Sequence, residues 1–274
     1  MLGKLIKNDM RAAARGVSNV YLAALIAIAA MGICLFADVG VGKVIASILL
    51  ILVSIATIIV TIVATLGEFR KGMFGDRGYL THTLPVKGPT MLFSKLVTSF
   101  CWIVISYLLV FFCAWLAYYY WMGESSDSLV YMISEMLPEL GMPEKGVLIE
   151  TLVFIAIKGV FLIIVFITEV FFALTLANVR PFSALGGFGS VLYFFASFGI
   201  VVFLSSRAEK LFLTAVLVNA DQSLGFTTDP GAITAIRNAG GASVTLTQVY
   251  VEIIAAVVLF VLTAELIDKK INVK

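Results

Sequence analysis

Charged residues are scarce in this sequence. Asp, Glu, Lys and Arg make up only 13% of the 274 residues, whereas hydrophobic residues make up 61%. A soluble globular domain carries about twice that share of charge. The apolar residues also occur in long runs, and not in the narrow stripes of soluble amphipathic helices. Both features exclude an ordinary soluble fold and indicate a protein whose solvent is lipid.

Residues that carry catalysis or bind metals are scarce as well. The chain has a single histidine, His82, and its three cysteines (Cys34, Cys101 and Cys113) lack the spacing of a zinc site. Walker A, H-E-x-x-H and catalytic-triad patterns are absent from the sequence. The sequence therefore predicts that this chain alone catalyses no reaction, binds no cofactor or metal, and has no nucleic-acid partner.

Six apolar runs have the length of membrane-spanning helices, which need about 20 residues each. They are residues 18–37, 44–66, 91–121, 151–177, 182–204 and 248–267. Strands of a membrane barrel need only about 10 residues of alternating character. The runs therefore predict an all-α, polytopic integral membrane protein in which residues 1–274 form a single transmembrane domain.

The first 16 residues mix apolar and basic side chains at helical spacing. Leu2, Leu5, Ile6 and Met10 lie against Lys4, Lys7 and Arg11. This pattern is typical of an amphipathic helix that lies at the membrane surface. A disordered basic segment is the alternative.

Basic residues predict the orientation, because cytoplasmic loops of membrane proteins retain Lys and Arg. With the N-terminus inside, 13 of the 19 basic residues fall in cytoplasmic segments. Six spans then return the C-terminus to the same side. We therefore expect both termini in the cytoplasm.

Two loops are more than simple turns. The cytoplasmic loop 67–90 contains Tyr79, Leu80 and Leu84 between glycines and prolines, which favours a docking surface for a partner. The alternative is a loop folded against the helix ends. The outer segment 205–247 is moderately apolar and broken by glycines, which favours a re-entrant or interfacial helical hairpin over a plain loop.

Lys158 and Glu169 fall within the fourth predicted span, and Glu252 falls within the sixth. A charge at the centre of a bilayer costs on the order of 3 kcal/mol or more, so such residues often mark pathways or partners. We interpret them as candidates for a translocation path. Anchoring at the membrane interface and structural pairing between helices are the alternatives.

Residues 73–86, MFGDRGYLTHTLPV, resemble the cytoplasmic loop of ABC-2 type permeases, in a branch common in Gram-positive bacteria. The specific likeness covers these residues and Ser94-Lys95, while the likeness in architecture extends over nearly the whole chain. Arg77 departs from the family pattern, in which an acidic residue often follows the aspartate.

The resemblance implies a type V exporter-like fold and the permease subunit of an ATP-driven exporter in a bacterial plasma membrane. Such subunits form homo- or heterodimers within the membrane lipids and bind two separate ATPase subunits, which hold ATP and magnesium. Residues 210–237 would match the extracellular gate helices before the last span. The implied coupling helix, which docks on the ATPase, contains Asp76, Arg77, Tyr79, Leu80, His82, Leu84 and Pro85.

Other functions remain open on sequence grounds. A membrane sensor or immunity scaffold would recruit an ATPase without moving a substrate, and only the neighbouring gene and an ATPase assay separate it from an exporter. A secondary transporter would show internal repeats or paired broken spans. An intramembrane enzyme would need its acid, base or metal ligands at one depth, whereas Lys158, Glu169 and Glu252 are spread along their spans.

Overall fold

The computed structural model describes residues 2–36, 40–75, 88–122, 148–179, 182–218, 224–238 and 242–270. In these ranges the helices are α1 (Leu2–Phe36), α2 (Gly40–Met73), α3 (Gly88–Met122), α4 (Leu148–Leu176), α5 (Gly186–Leu211), α6 (Pro230–Asn238) and α7 (Leu246–Lys270). A 3₁₀ turn, Phe182–Leu185, precedes α5. The strands are β1 (Ala215–Val218), β2 (Leu224–Thr227) and β3 (Ala242–Thr245).

Six of the described helices, all except α6, are long and apolar enough to cross a membrane. Their outward faces carry large apolar side chains: Leu22, Leu25 and Ile26 on α1 are each about 60% exposed. Exposed apolar patches of this size are unfavourable in water, whereas the hydrocarbon layer of a membrane solvates them. The all-α, polytopic membrane fold predicted from the six apolar runs is confirmed at this level.

The chain divides into two compact units. The first contains residues 1–127 and 267–274, and the second contains residues 128–266. In the first unit α1, α2 and α3 pack against one another. In the second unit α4 packs on α5, where Phe166 and Phe194 meet edge to face with their ring centroids 5.9 Å apart.

Helix α1 is continuous from Leu2 to Phe36. The segment 1–16, predicted as a separate interfacial helix, and the first span therefore form one helix. Small residues allow α1 to approach α2 closely, since a Cβ on Gly16 would lie 3.0 Å from the Cβ of Ala64. Further along, Ala27, Met31, Ala46, Leu50 and Cys113 form a buried cluster between α1, α2 and α3.

The structure corrects the helical hairpin predicted for residues 205–247 and the gate helices implied for residues 210–237. Helix α5 continues to Leu211, and a three-stranded antiparallel sheet with the order β2-β1-β3 follows it, with the short helix α6 between β2 and β3. Val216 on the central strand pairs with Phe226 and with Val244. The local sequences AVLV, LGFT and ASVT are rich in β-branched or aromatic residues and are bounded by turn formers. The apolar character of this segment therefore reflects short strands and not the predicted helical hairpin.

Thr247 at the start of α7 links this helix to the segment before β1. Its hydroxyl donates to the Phe212 carbonyl at 2.6 Å and accepts from the Thr214 amide at 2.8 Å. The Leu246 amide donates to the Thr214 carbonyl at 2.8 Å. Because Thr247 is buried, these bonds position the first turn of α7 beside the sheet.

Replacing Thr247 by Val is expected to destabilise the chain by about 1–2 kcal/mol, because the Thr214 amide loses its acceptor in a partly buried setting. The measurement is the thermal unfolding midpoint in lipid nanodiscs. Thr234→Val is the matched control, since within the described part of the chain the exposed Thr234 hydroxyl bonds to carbonyls of its own helix. A midpoint for Thr247→Val equal to that of the native chain would contradict the assigned role.

Candidate functional site

The residues predicted to dock on a partner lie between α2 and α3. Asp76, Arg77, Tyr79, Leu80, His82, Leu84 and Pro85 all fall outside the described residues. The structure does describe the two ends from which this segment departs. Helix α2 ends at Met73 with Arg70 and Lys71 in its last turn, and α3 begins at Gly88. Basic residues near a helix C-terminus interact favourably with the helix dipole.

An ion pair joins α1 to the start of α3 at this end of the first unit. Asp9 accepts hydrogen bonds from the Ser94 hydroxyl at 2.7 Å and from the Lys95 ammonium at 2.5 Å. The side chains of Lys95 and Asp9 are only 13% and 14% exposed. Helix α2 takes part as well, because a Cβ on Gly72 would lie 2.9 Å from Lys95 Nζ. Three helices therefore meet at one partly buried charge pair.

The last turn of α7 contacts the first residue of α3. The Gly88 amide donates to Asp268 Oδ1 at 3.0 Å. The first amides of a helix have no partner within the helix, and a carboxylate there is also favoured by the helix dipole. A Cβ on Gly88 would collide with the Asp268 carboxylate, so a larger residue there would require the Asp268 side chain to shift. We call Asp9, Gly72, Gly88, Ser94, Lys95 and Asp268 the loop-end network.

The C-terminal end of α2 is well packed. Phe69 and Met73 are buried, and the Phe69 ring meets the Phe74 ring at 6.0 Å in an edge-on arrangement. The Arg70 carbonyl accepts from the amides of Phe74 and Gly75, which closes the final turn. Any displacement of the following segment therefore acts on a helix end that is already held in place.

A chain of hydroxyl groups connects α1, α2 and α3 within the span. Tyr21 OH lies 2.7 Å from Ser106 Oγ, which donates to Thr61 Oγ1 at 2.7 Å. Ser106 and Thr61 are buried. Hydrogen bonds between helices in lipid contribute about 0.6–2 kcal/mol each. The three helices are thus joined by polar contacts at the loop end and again deeper in the bundle.

The second unit brings together charged residues that are distant in the sequence. The Lys158 ammonium on α4 lies 3.4 Å from Gln248 Oε1 on α7. Glu252, one turn beyond Gln248, has the Gln248 side chain as a hydrogen-bond partner and lies in electrostatic range of Lys158. Glu169 on α4 lies in electrostatic range of Glu252. We call Lys158, Glu169, Gln248 and Glu252 the acid–lysine cluster.

Sequence reasoning named Lys158, Glu169 and Glu252 but treated them as dispersed along their spans. The structure places Lys158 close to Glu252, whereas Glu169 interacts with Glu252 and lies deeper along α4. Gln248 was missed, although its spacing of four residues from Glu252 puts both on one helix face. Asp9 was missed too; the available signal was a lone acid within the basic start of α1.

The described residues contain no group of three His, Cys, Asp or Glu side chains that could hold a metal ion. Comparisons with protein-family models, with curated proteins and with solved structures find no match to this chain. The apolar helices define the class of protein: it is a multi-pass α-helical membrane protein. Its function has to be argued from the loop-end network, the acid–lysine cluster and the sequence motif between α2 and α3.

Proposed function

We propose that this chain is the permease subunit of an ATP-driven exporter of the ABC-2 type. It would lie in a bacterial plasma membrane with both termini in the cytoplasm, pair with a second permease subunit, and bind two ATPase subunits that hydrolyse ATP. The GYLTHTLPV motif at 78–86 supports the family, and the six apolar helices agree with its architecture. The observation that carries the proposal is the loop-end network.

The loop-end network joins the helix ends that flank the coupling segment to other helices. The segment departs from α2 and returns at α3, where Lys95 is paired with Asp9 of α1 and Gly88 is bonded to Asp268 of α7. A displacement of the coupling segment would therefore act on α1, α2, α3 and the last turn of α7 together. A conformational switch requires such a linked group of helices. A contact with the ATPase that differs between its two states would then shift all of these helices together.

In this mechanism the chain performs no chemistry on ATP. Closure of the two ATPase subunits around ATP would displace the segment that contains Tyr79 and Leu84. The attached helices then change their arrangement and expose the substrate path to the other side of the membrane. Energy enters only through the contact between this segment and the ATPase, so that contact is the point to test.

The test is copurification of the ATPase encoded beside this chain, through a tag on the permease, followed by ATP hydrolysis in nanodiscs. We expect Tyr79→Ala with Leu84→Ala to lose the ATPase or to release its hydrolysis from control by the permease. Truncating apolar anchors at the centre of an interface typically costs 2 kcal/mol or more per residue. The amount of ATPase retained, or the stimulation of its hydrolysis by the permease, should therefore fall at least tenfold.

Tyr107→Ala with Leu108→Ala is the matched control. It removes the same two side chains from α3, where both are exposed towards lipid, and it should leave association and hydrolysis unchanged. Failure of the native chain to retain any ATPase would refute the proposed function. Native behaviour of the Tyr79/Leu84 variant would refute the assignment of the coupling segment.

A further inference from the structure

The acid–lysine cluster contains two buried carboxyl groups but one ammonium group. Glu169 is 2% exposed and Glu252 is 5% exposed. One oxygen of each, Glu169 Oε1 and Glu252 Oε2, has no hydrogen-bond partner among the described residues. Native proteins satisfy nearly all buried polar atoms, and exceptions call for an explanation such as an absent ligand. Here two exceptions occur in one cluster.

The single ammonium group does not balance both acids. Lys158 reaches Gln248 Oε1 at 3.4 Å and lies in electrostatic range of Glu252. Along α4, Glu169 is 11 residues beyond Lys158, which corresponds to about 16 Å. The charged group in range of Glu169 is Glu252, an acid of the same sign. Within the described residues, Glu169 is thus a buried acid without a counter-charge.

The neighbours of Glu169 on its own face of α4 are apolar. Val165 and Ala173 lie one turn before and one turn after it on the same face of α4, and both are buried. A ligand that fits this environment needs a positively charged hydrogen-bond donor attached to an apolar body. Primary ammonium and guanidinium groups provide such donors, and both form strong charge-assisted bonds with carboxylates.

We propose that Glu169 and Glu252 bind the ammonium or guanidinium group of a lipophilic organic cation. This inference rests on the proposed function in one respect, since it names that cation as the class of substrate exported. Lys158 acts as the resident cation near Glu252 and competes with the ligand there. Glu169, deeper along α4, is the second position for the same charged group.

The probe is dansylcadaverine, which joins a primary ammonium group to an apolar fluorescent group. Its N-acetyl derivative keeps the apolar group but has no charge. Both are titrated against the full-length chain in nanodiscs, with empty nanodiscs subtracted. We expect saturable binding of the amine and at least tenfold weaker binding of the acetylated derivative.

Variants identify the groups that bind. Glu169→Gln and Glu252→Gln keep the side-chain shape but remove the charge, so each should weaken binding of the amine at least tenfold. Glu209→Gln on α5 is the matched control, because Glu209 lies outside the acid–lysine cluster, and it should bind as the native chain does. Lys158→Met removes the competing ammonium and should tighten binding severalfold, a gain that a misfolded protein would not show.

Two results overturn this inference: equal binding of the amine and its acetylated derivative, or native affinity in both glutamine variants. Neither result bears on the proposed function, because the titration requires no ATPase. Conversely, loss of ATPase copurification with retained Glu169-dependent binding would refute the exporter assignment and leave the cation site intact. Export of the amine from ATP-loaded vesicles, abolished by Glu169→Gln, would support both.

Discussion

Replacement of Lys95 by Met is expected to lower the free energy of unfolding by about 2 kcal/mol. The Lys95 ammonium and the Asp9 carboxylate form a partly buried pair at the loop end of the first unit. Removing one partner of a fully buried pair leaves an uncompensated charge, which typically costs about 3–5 kcal/mol. This pair is partly buried and the Ser94 hydroxyl still donates to Asp9, so we expect a cost below that range. Thermal unfolding in lipid nanodiscs should show a midpoint several degrees below that of the native chain.

A second change separates the loss of the pair from the loss of a lysine. Asp9→Asn combined with Lys95→Met has no unpaired charge and keeps the acceptor for Ser94, so most of the lost stability should return. Lys71→Met at the exposed end of α2 is the control for the substitution type and should be neutral. Equal midpoints for Lys95→Met and the double variant would show that the charge pair is not what stabilises this end.

The Lys95 variant also probes the proposed coupling. If α1, α2 and α3 move together because of the loop-end network, Lys95→Met should reduce stimulation of the ATPase by the permease at temperatures well below unfolding. The double variant with Asp9→Asn should restore folding without restoring the stimulation fully, because the linking bond to α1 is weaker. Hydrolysis measured at a temperature where all variants are folded distinguishes these effects.

Replacement of Gly16 by Val is expected to destabilise the first unit by about 2 kcal/mol. A Cβ at this position lies 3.0 Å from the Ala64 Cβ and 3.9 Å from the Ala64 Cα. The contact with the Ala64 methyl group is tighter than an ordinary van der Waals contact, so a side chain at position 16 requires α1 and α2 to shift. Overpacking of this kind typically costs 1–3 kcal/mol, because the helices must move apart and lose their other contacts. Thermal unfolding in nanodiscs measures the effect.

The compensating change lies directly opposite. Ala64→Gly removes the Cβ that the new valine would meet, so the Gly16→Val/Ala64→Gly chain should recover at least half of the loss. Gly32→Val on the same helix is the control, since nothing lies within 4 Å of a Cβ there. If Gly16→Val and Gly32→Val unfold at the same temperature, the close contact between α1 and α2 at Gly16 is refuted.

Hydrophobic length was enough to predict the class of fold. A membrane-spanning helix must satisfy all its backbone hydrogen bonds internally and cover a hydrocarbon layer of about 30 Å, so each span leaves a long apolar run in the sequence. For this reason the helices α1 to α5 and α7 coincide with the six predicted runs, although most of them extend further. Apolar character does not indicate a helix between Leu211 and Leu246, where apolar residues form the strands of a small sheet. Four-residue strands such as AVLV are too short to differ from a helical fragment by pattern alone.

The candidate sites depend on information that a linear pattern does not contain. The scarcity of charge singled out Lys158, Glu169 and Glu252 as unusual, because lipid makes every buried charge expensive. The sequence by itself therefore determined that this is a polytopic helical membrane protein with a few conspicuous buried charges. Which charges meet was decided only by the tertiary structure: Asp9 pairs with Lys95 across 86 positions, and Lys158 reaches Gln248 across 90. Such pairs depend on the rotation and relative height of packed helices, which arise from many contacts between distant segments.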